Sequence, residues 1–258
     1  MSISIRLTEF CFLKASTLLL AYRVLLDYKK IPYHTEWINF EDIERISKQI
    51  GASAAATTKD GSPRYTVPFI KVTSKTGEIT AVSDSLKIAA YIERTFPDSE
   101  RVLMPVGTNA FHAAFYHFFS EKVIKALGPV LVGPYVDNLV SPEWYARTRE
   151  KVYGKPVAEV IAKEDEIENA WRNVEAGFDA IAILLDANIV GDETPEEAQK
   201  KMAAVMGDRP SFADIQLVGL LHSIIMYTPE GWARLKRRNG GRWERLVNTY
   251  KEYLPPFQ

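Results

Sequence analysis

Patterns typical of β-strands are confined to the first hundred of the 258 residues. There they alternate with helical patterns: Ile3, Ile5 and Leu7 recur at every second position, and an apolar stripe at helical spacing follows from 18 to 26. Beyond a linker, apolar residues recur at helical spacing in the segments 109–127, 157–188, 211–227 and 231–238. This order predicts an α/β domain over residues 1–97, a linker over 98–108 and an all-α domain over 109–258.

The first domain is expected to have the element order β-α-β-α-β-β-α. Its first helix begins at Ser16-Thr17 and ends before Pro32, because the residue before a proline is disfavoured in the helical region. An extended segment at 33–40, a short helix at 41–50 and a loop at 51–64 follow. A hairpin then surrounds a turn at 74–77, and a helix opened by "VSDS" completes the domain near residue 97. This order predicts a mixed sheet.

One proline stands at an unusual position within these strands. In "YTVPFI", residues 65–70, the Thr, Val, Phe and Ile favour an extended chain, whereas Pro68 has no N–H to donate to a neighbouring strand. Taken alone, the segment indicates an ordinary proline on an edge strand. The "VSDS" that follows at residues 82–85 brings in a second interpretation, in which this proline helps to form a binding site.

Composition argues against several classes of protein. With 32 basic and 33 acidic residues the net charge is −1, so neither nucleic acid nor an anionic membrane is an expected partner. Lys14 and Arg23 interrupt the apolar run at 10–26, which is too short and too charged to cross a membrane. Cys11 is the single cysteine, which favours a reducing, cytoplasmic location. The four histidines lack metal-ligand spacing, so no metal site is expected.

Three motifs in this order resemble those of the cytosolic glutathione transferases. They are the Val-Pro that opens a strand, the "VSDS" that opens a helix, and "GDRPSFADIQL" at 207–217. The resemblance covers the whole chain, and "KIPYHTEWINFEDI", "DGSPRYTVPFI" and "GDRPSFADI" are most similar to the fungal-specific class A, relatives of bacterial glutathione-dependent β-etherases. It implies a thioredoxin-like α/β domain, an all-α domain and a homodimer. Within "SFAD", Ser211 and Asp214 would form a helix-capping box.

The resemblance also implies a binding site for glutathione, as co-substrate and without a further cofactor. The Val67-Pro68 bond would be cis and would leave the backbone of Val67 free to pair with the tripeptide. Ser85 would hold the γ-glutamyl carboxylate at the start of a helix, and Asp84 would face the ammonium group. Asp84 and Ser85 could equally be a plain helix cap. For the glycyl carboxylate, the cations in or near the loop are candidates: Lys48, Lys59 and Arg64.

The residue that activates the thiol is expected to be Ser16. In the class resembled, a Ser-Pro-x-x-x-Lys-x-Arg pattern opens the first helix, and its serine hydrogen-bonds to the glutathione sulfur. This chain departs from the pattern, with Thr17 in place of the proline and "LLLAY" through the rest. Ser16 could therefore be only a helix cap. Cys11 is the rival nucleophile, although its apolar "FCFL" surroundings are more typical of a buried, inert thiol.

These residues lead to one main function and two alternatives. The main one is a glutathione transferase acting in detoxification, which activates the thiol for attack on hydrophobic, aromatic electrophiles or ether-type bonds. The alternatives are a binding protein for aromatic metabolites with little catalysis, and a thiol transferase based on Cys11. By resemblance the helix after the linker walls the acceptor pocket, for which the candidates are Phe115, Tyr116, Phe119 and Tyr135.

Overall fold

A computed structural model describes residues 20–58, 61–74, 76–137, 139, 141–189, 194, 197 and 204–254, together with the backbone of 4–10. In the first hundred residues, four strands form a mixed sheet, and three helices accompany it. The strands of this sheet are β1 (Ser4–Phe10), β2 (Tyr33–Ile38), β5 (Phe69–Thr73) and β6 (Ile79–Ser83). Their order is β2-β1-β5-β6, with β1 parallel to β2 and the other pairs antiparallel. The helices are α1 (Leu20–Tyr28), α2 (Ile43–Ile50) and α3 (Ser85–Thr95).

The predicted order β-α-β-α-β-β-α matches this part of the chain. Helix α2 ends at Gly51, whose φ of 77° is the left-handed conformation that glycine adopts without cost. The loop expected at 51–64 contains an additional short ladder, β3 (Ala56–Thr57) paired with β4 (Pro63–Arg64). Two-residue strands are too short to leave a periodic pattern in the sequence.

In the rest of the described chain, the regular elements are helical apart from two isolated β-bridges near Ala204. Its elements are α4 (Asn109–Phe119), a π-helical segment (Ser120–Ile124), α5 (Lys125–Val136), α6 (Pro142–Tyr153), α7 (Ile167–Asp186), α8 (Phe212–Tyr227), α9 (Pro229–Leu235) and α10 (Arg238–Thr249). Short 3₁₀ turns lie at Phe40–Asp42, Val157–Glu159 and Lys251–Tyr253. The fold is therefore a thioredoxin-like α/β domain followed by an all-α domain, as expected.

Two helices of the second domain differ from the sequence expectation. Helix α5 continues past residue 127 although it contains Pro129 and Pro134, and α6 was not anticipated. Proline lacks the N–H that a helix interior uses, so a proline-containing segment does not indicate a helix in sequence. The helical pattern at 157–188 becomes a continuous helix only from Ile167.

Residues of both domains pack in a common apolar cluster, within which α1 and α8 meet. A Cβ added at Gly219 would lie 3.2 Å from Cβ and 3.3 Å from N of Ala21, so the two helix backbones are nearly in contact. The capping box at the start of α8 is confirmed: the Ser211 N–H donates to Asp214 Oδ2 at 2.8 Å and the Asp214 N–H donates to Ser211 Oγ at 3.4 Å. This packing fixes how the domains face each other.

No helix in the described ranges is long and apolar enough to cross a membrane. Over the same residues, the structure brings together no group of three or more His, Cys, Asp or Glu that could hold a metal ion.

Candidate functional site

The peptide bond between Val67 and Pro68 is cis, as the sequence led us to expect. Strand β5 begins directly after it, at Phe69, whose Cα partners are Thr8 and Ser83 on the neighbouring strands. Val67 lies before this ladder, and its backbone N–H and C=O have no hydrogen-bond partner among the described residues. A peptide backbone could therefore pair with Val67 as an added strand would.

The start of α3 lies in the same wall as Val67. Asp84 is the N-cap, with φ 78°, and its Oδ1 accepts hydrogen bonds from the N–H groups of Leu86 at 3.1 Å and Lys87 at 3.2 Å. The Ser85 N–H has no partner in the part of the chain that the structure describes. Asp84 is thus a helix cap, and the first free N–H of the helix belongs to Ser85.

Tyr22 is a polar residue of this wall that the sequence did not single out. It lies on α1, is 2% exposed, and packs against Phe212 with the ring centroids 6.3 Å apart. Burial raises the pKa of the Tyr22 hydroxyl far above its ordinary value, and the Ser85 side chain opposes part of this rise. Tyr22 is therefore a neutral phenol facing the start of α3. In the sequence, Tyr22 lies at helical spacing within an apolar stripe, where nothing distinguishes it from a core residue.

These residues line a cavity of about 1080 Å³ between the two domains. Aromatic side chains form its opposite wall. Phe40, from the first domain, stacks on Trp144 of α6 with centroids 5.6 Å apart and contacts Tyr145 at 5.5 Å. Tyr135 of α5 lies 5.6 Å from Tyr145. A large concave site with apolar walls and few polar groups is typical of sites for small organic molecules.

The structure brings most of the predicted site residues together. The cavity is lined by Arg64, Val67, Pro68, Asp84, Ser85, Tyr116, Phe119 and Tyr135. Phe115 instead belongs to the buried core, 3% exposed, with its ring stacked on that of Phe119 at 6.1 Å. Lys48 is also outside the lining: its Nζ is 2.6 Å from Glu44 Oε1 and 5.5 Å from the centroid of Tyr65. Ser16, Cys11 and Lys59 lie outside the described residues.

Arg149 is the second residue that the sequence did not indicate. It lies on α6 and lines the cavity together with Arg64 of β4. Helical spacing could not place Arg149, because α6 was not recognised as a helix. The two guanidinium groups bring positive charge to a cavity whose lining also includes Lys151 and the carboxylates of Glu41, Glu44 and Asp84.

A thioredoxin-like domain with a cis Val-Pro bond, sharing a cavity with an all-α domain, defines a protein of the glutathione transferase type. The family models of the glutathione S-transferase N-terminal and C-terminal domains match residues 21–95 and 110–253. The chain therefore belongs to the glutathione S-transferase family.

Three proteins similar to this chain come from fungi. The glutathione S-transferase-like protein ustS of Aspergillus flavus is 26% identical over 246 residues, which are 93% of this chain and 84% of that protein. A glutathione S-transferase of Ceriporiopsis subvermispora, solved in complex with glutathione, is 31% identical with a TM-score of 0.84, covering 98% of this chain and 99% of that one. Glutathione transferase GSTFuA3 of Phanerochaete chrysosporium is 30% identical with a TM-score of 0.82, covering 98% of both chains.

Proposed function

We propose that the protein binds reduced glutathione along Val67 and Ser85 and transfers the glutathionyl group, through its sulfur, to a hydrophobic, aromatic electrophile or to the carbon of an ether-type bond. The observation that carries this proposal is the cavity that joins the free backbone of Val67 to the aromatic wall of α5 and α6. A tripeptide and an aromatic acceptor can therefore lie side by side in one site. The family relative of Ceriporiopsis subvermispora was solved with glutathione bound, which supports the first half of the proposal.

The proposed binding of glutathione uses backbone groups of the first domain that have no partner among the described residues. The N–H and C=O of Val67 would pair with the cysteinyl backbone, as in the addition of a β-strand. The hydroxyl and the N–H of Ser85, at the positive end of α3, would both donate to the γ-glutamyl carboxylate. Arg64 and Lys59 remain candidates for the glycyl carboxylate, while the exposed ion pair of Lys48 with Glu44 makes Lys48 a weaker candidate.

Ser16 is our candidate for activating the thiol, and its hydroxyl would donate a hydrogen bond to the sulfur. A free thiol has a pKa of about 8.5, and lowering it by about two units requires roughly 2.7 kcal/mol of preferential stabilisation of the thiolate. One hydrogen bond to a charged atom contributes about 1.5–3 kcal/mol, and a helix start adds about 0.3–1 kcal/mol. In the transfer step a C–S bond forms, the leaving group departs with its electron pair, and the thiol proton passes to solvent.

The test combines binding and turnover. Isothermal titration with reduced glutathione should show binding to the wild type and weaker binding to Ser85→Ala, while Ser53→Ala, an exposed serine outside the cavity lining, serves as the control. In a conjugation assay with 1-chloro-2,4-dinitrobenzene, Ser16→Ala should lose about 10- to 100-fold in kcat/KM. Equal rates of wild type and Ser16→Ala would remove Ser16 from the mechanism.

The second candidate function is a binding protein for aromatic metabolites, and the aromatic wall around Phe40 and Trp144 favours it. Tight binding of an aromatic dye without any conjugation would support this alternative.

The third possibility is a thiol transferase based on Cys11. It would be supported if the wild type reduces thiol-reactive substrates but does not conjugate, and if Cys11→Ser loses that reduction.

We also propose a homodimeric state and a cytoplasmic role in detoxification. Exposed apolar side chains near α3 and the linker support the dimer: Ile79, Val102 and Val106 are 52%, 38% and 106% exposed. Light scattering would test the dimer, since a dimer has twice the mass of the chain.

The cytoplasmic location is supported by the single cysteine, which fits a reducing compartment. Neither a cofactor nor a metal is required by the proposed reaction.

A further inference from the structure

The two arginines of the cavity approach it from different domains, and neither has a counterion among the described residues. Arg64 ends β4 and Arg149 lies in the last turns of α6, and both side chains are half-buried. The Nε of Arg64 is buried without a hydrogen-bond partner. Among the described residues, neither guanidinium forms an ion pair with a carboxylate. Partly buried cations are normally paired, so this arrangement invites an anion.

The electrostatics of the pair agree with this geometry. Burial lowers the pKa of Arg64, the positive charge of Arg149 lowers it further, and Tyr116 opposes the change. The Arg149 guanidinium lies 5.1 Å from the ring centroid of Tyr145, which orients it beside the aromatic wall. An anionic group between the arginines would relieve their mutual repulsion, and guanidinium groups bind carboxylates with two parallel hydrogen bonds.

We propose that Arg64 and Arg149 form a subsite for the acidic group of the acceptor, so that the protein accepts aromatic carboxylates. The stacked pair of Phe40 and Trp144 and the neighbouring Tyr145 provide flat surfaces for the ring. The arginines would hold the carboxylate while the ring lies along these surfaces. This inference rests on the proposed function for its catalytic readout.

The ionisable neighbours of Arg64 indicate which part of the cavity this subsite occupies. Among the described residues, the ionisable neighbours that influence Arg64 are Arg149 of α6 and Tyr116 of α4, and Tyr116 also lies near Asp84 at the start of α3. Arg64 thus faces the helical domain, on the side of the aromatic wall. The glycyl carboxylate of glutathione would be the rival occupant of Arg64, and the experiment distinguishes the two.

The experiment compares 4-chloro-3-nitrobenzoate with its uncharged methyl ester as acceptors. In both, the glutathione thiolate forms a C–S bond at the ring carbon, and chloride leaves with the electron pair. In Arg64→Gln and in Arg149→Gln, the ratio of kcat/KM for the acid to that for the ester should fall about 10- to 100-fold. Arg147→Gln, an exposed arginine of α6 outside the cavity lining, should leave the ratio unchanged, and Arg149→Lys should restore part of it.

Two results would overturn the inference. The first is an acid-to-ester ratio of kcat/KM that is unchanged in both glutamine variants. The second is an equal loss of kcat/KM for the acid and the ester together with a raised KM for glutathione, which would assign Arg64 to the tripeptide. If the wild type conjugates neither acceptor, binding of the anionic aromatic dye 8-anilinonaphthalene-1-sulfonate tests whether the arginine subsite exists. About tenfold weaker binding in Arg64→Gln and Arg149→Gln, but not in Arg147→Gln, would support the subsite although the proposed function had failed. Equal binding in all variants would refute it.

Discussion

Asp214 is a carboxylate buried at the start of α8, with 0% exposure. It accepts hydrogen bonds from the Ser211 N–H at 2.8 Å, the Ser211 hydroxyl at 2.6 Å and the Val205 N–H at 2.6 Å. Burial raises the pKa of Asp214 to about 6, and these donors oppose the rise. Desolvation therefore outweighs hydrogen bonding at this residue.

We predict that Asp214 makes stability depend on pH between about 4 and 6. The native state holds the proton of Asp214 to a higher pH than the unfolded chain does. The stabilisation from this protonated carboxyl is therefore complete below the unfolded pKa near 3.8 and is lost as the pH rises through about 6. Relative to Asp214→Asn, which does not titrate, the wild type should lose about 3 kcal/mol of unfolding free energy over this range. Urea unfolding at several pH values measures it. A difference that stays constant from pH 4 to 7 would contradict the assignment.

Among the elements, α7 approaches the π-helical segment so closely that only glycine fits at one position. A Cβ added at Gly177 would lie 2.2 Å from the backbone oxygen of Lys122 and 3.3 Å from Cγ2 of Val123. A backbone oxygen cannot turn aside as a side chain does. One of the two elements would have to move to make room for a larger residue at this position.

We expect Gly177→Ala to lower the free energy of unfolding by about 1–3 kcal/mol, because the added methyl group separates α7 from the segment. Gly128→Ala is the matched control on α5: its Cβ would meet only Val160 Cγ1, at 3.8 Å. This control should be neutral or more stable by up to about 1 kcal/mol, since alanine favours helix more than glycine does. Thermal unfolding of both variants is the measurement, and similar midpoints would show that α7 moves without cost.

At the scale of the whole molecule, a buried lysine connects three parts of the chain. Lys29, at the end of α1, donates from Nζ to Glu93 Oε2 of α3 at 2.9 Å and to the Arg101 carbonyl of the linker at 3.0 Å. Glu93 Oε1 accepts from the Leu103 N–H at 2.7 Å. The Lys29 side chain is 1% exposed. This network holds the linker, and thereby the start of the second domain, against the first.

We predict that Lys29→Met destabilises the protein by about 3 kcal/mol or more, because Glu93 then remains partly buried without its counterion. Lys125→Met, which breaks the exposed ion pair with Glu121, should have no measurable effect on the unfolding midpoint. Denaturant titrations followed by tryptophan fluorescence and by circular dichroism would measure both. A Lys29→Met variant as stable as Lys125→Met would show that the network contributes little to the attachment of the domains.

Short-range features of this protein could be predicted from its sequence. The hairpin of β5 and β6, the helix α3 and the capping box of Ser211 and Asp214 depend on residues a few positions apart, so their patterns are visible along the chain. Resemblance added the cis bond at Val67-Pro68. Helix α5 escaped detection because Pro129 and Pro134 lie in its interior. Helix α6 escaped detection because its mixed polarity gives no clear apolar stripe, and Arg149 therefore could not be placed.

Local order along the chain therefore accounts for the two-domain fold and for the wall of the cavity that contains Val67, Asp84 and Ser85. The opposite wall arises only when distant segments pack. Whether an aromatic residue at helical spacing faces the core, as Phe115 does, or the cavity, as Tyr116 does, depends on how α4 rotates against its neighbours. The meeting of Arg64 with Arg149 depends likewise on how the domains dock. Such contacts join residues far apart in sequence, and periodicity within one element carries no information about them.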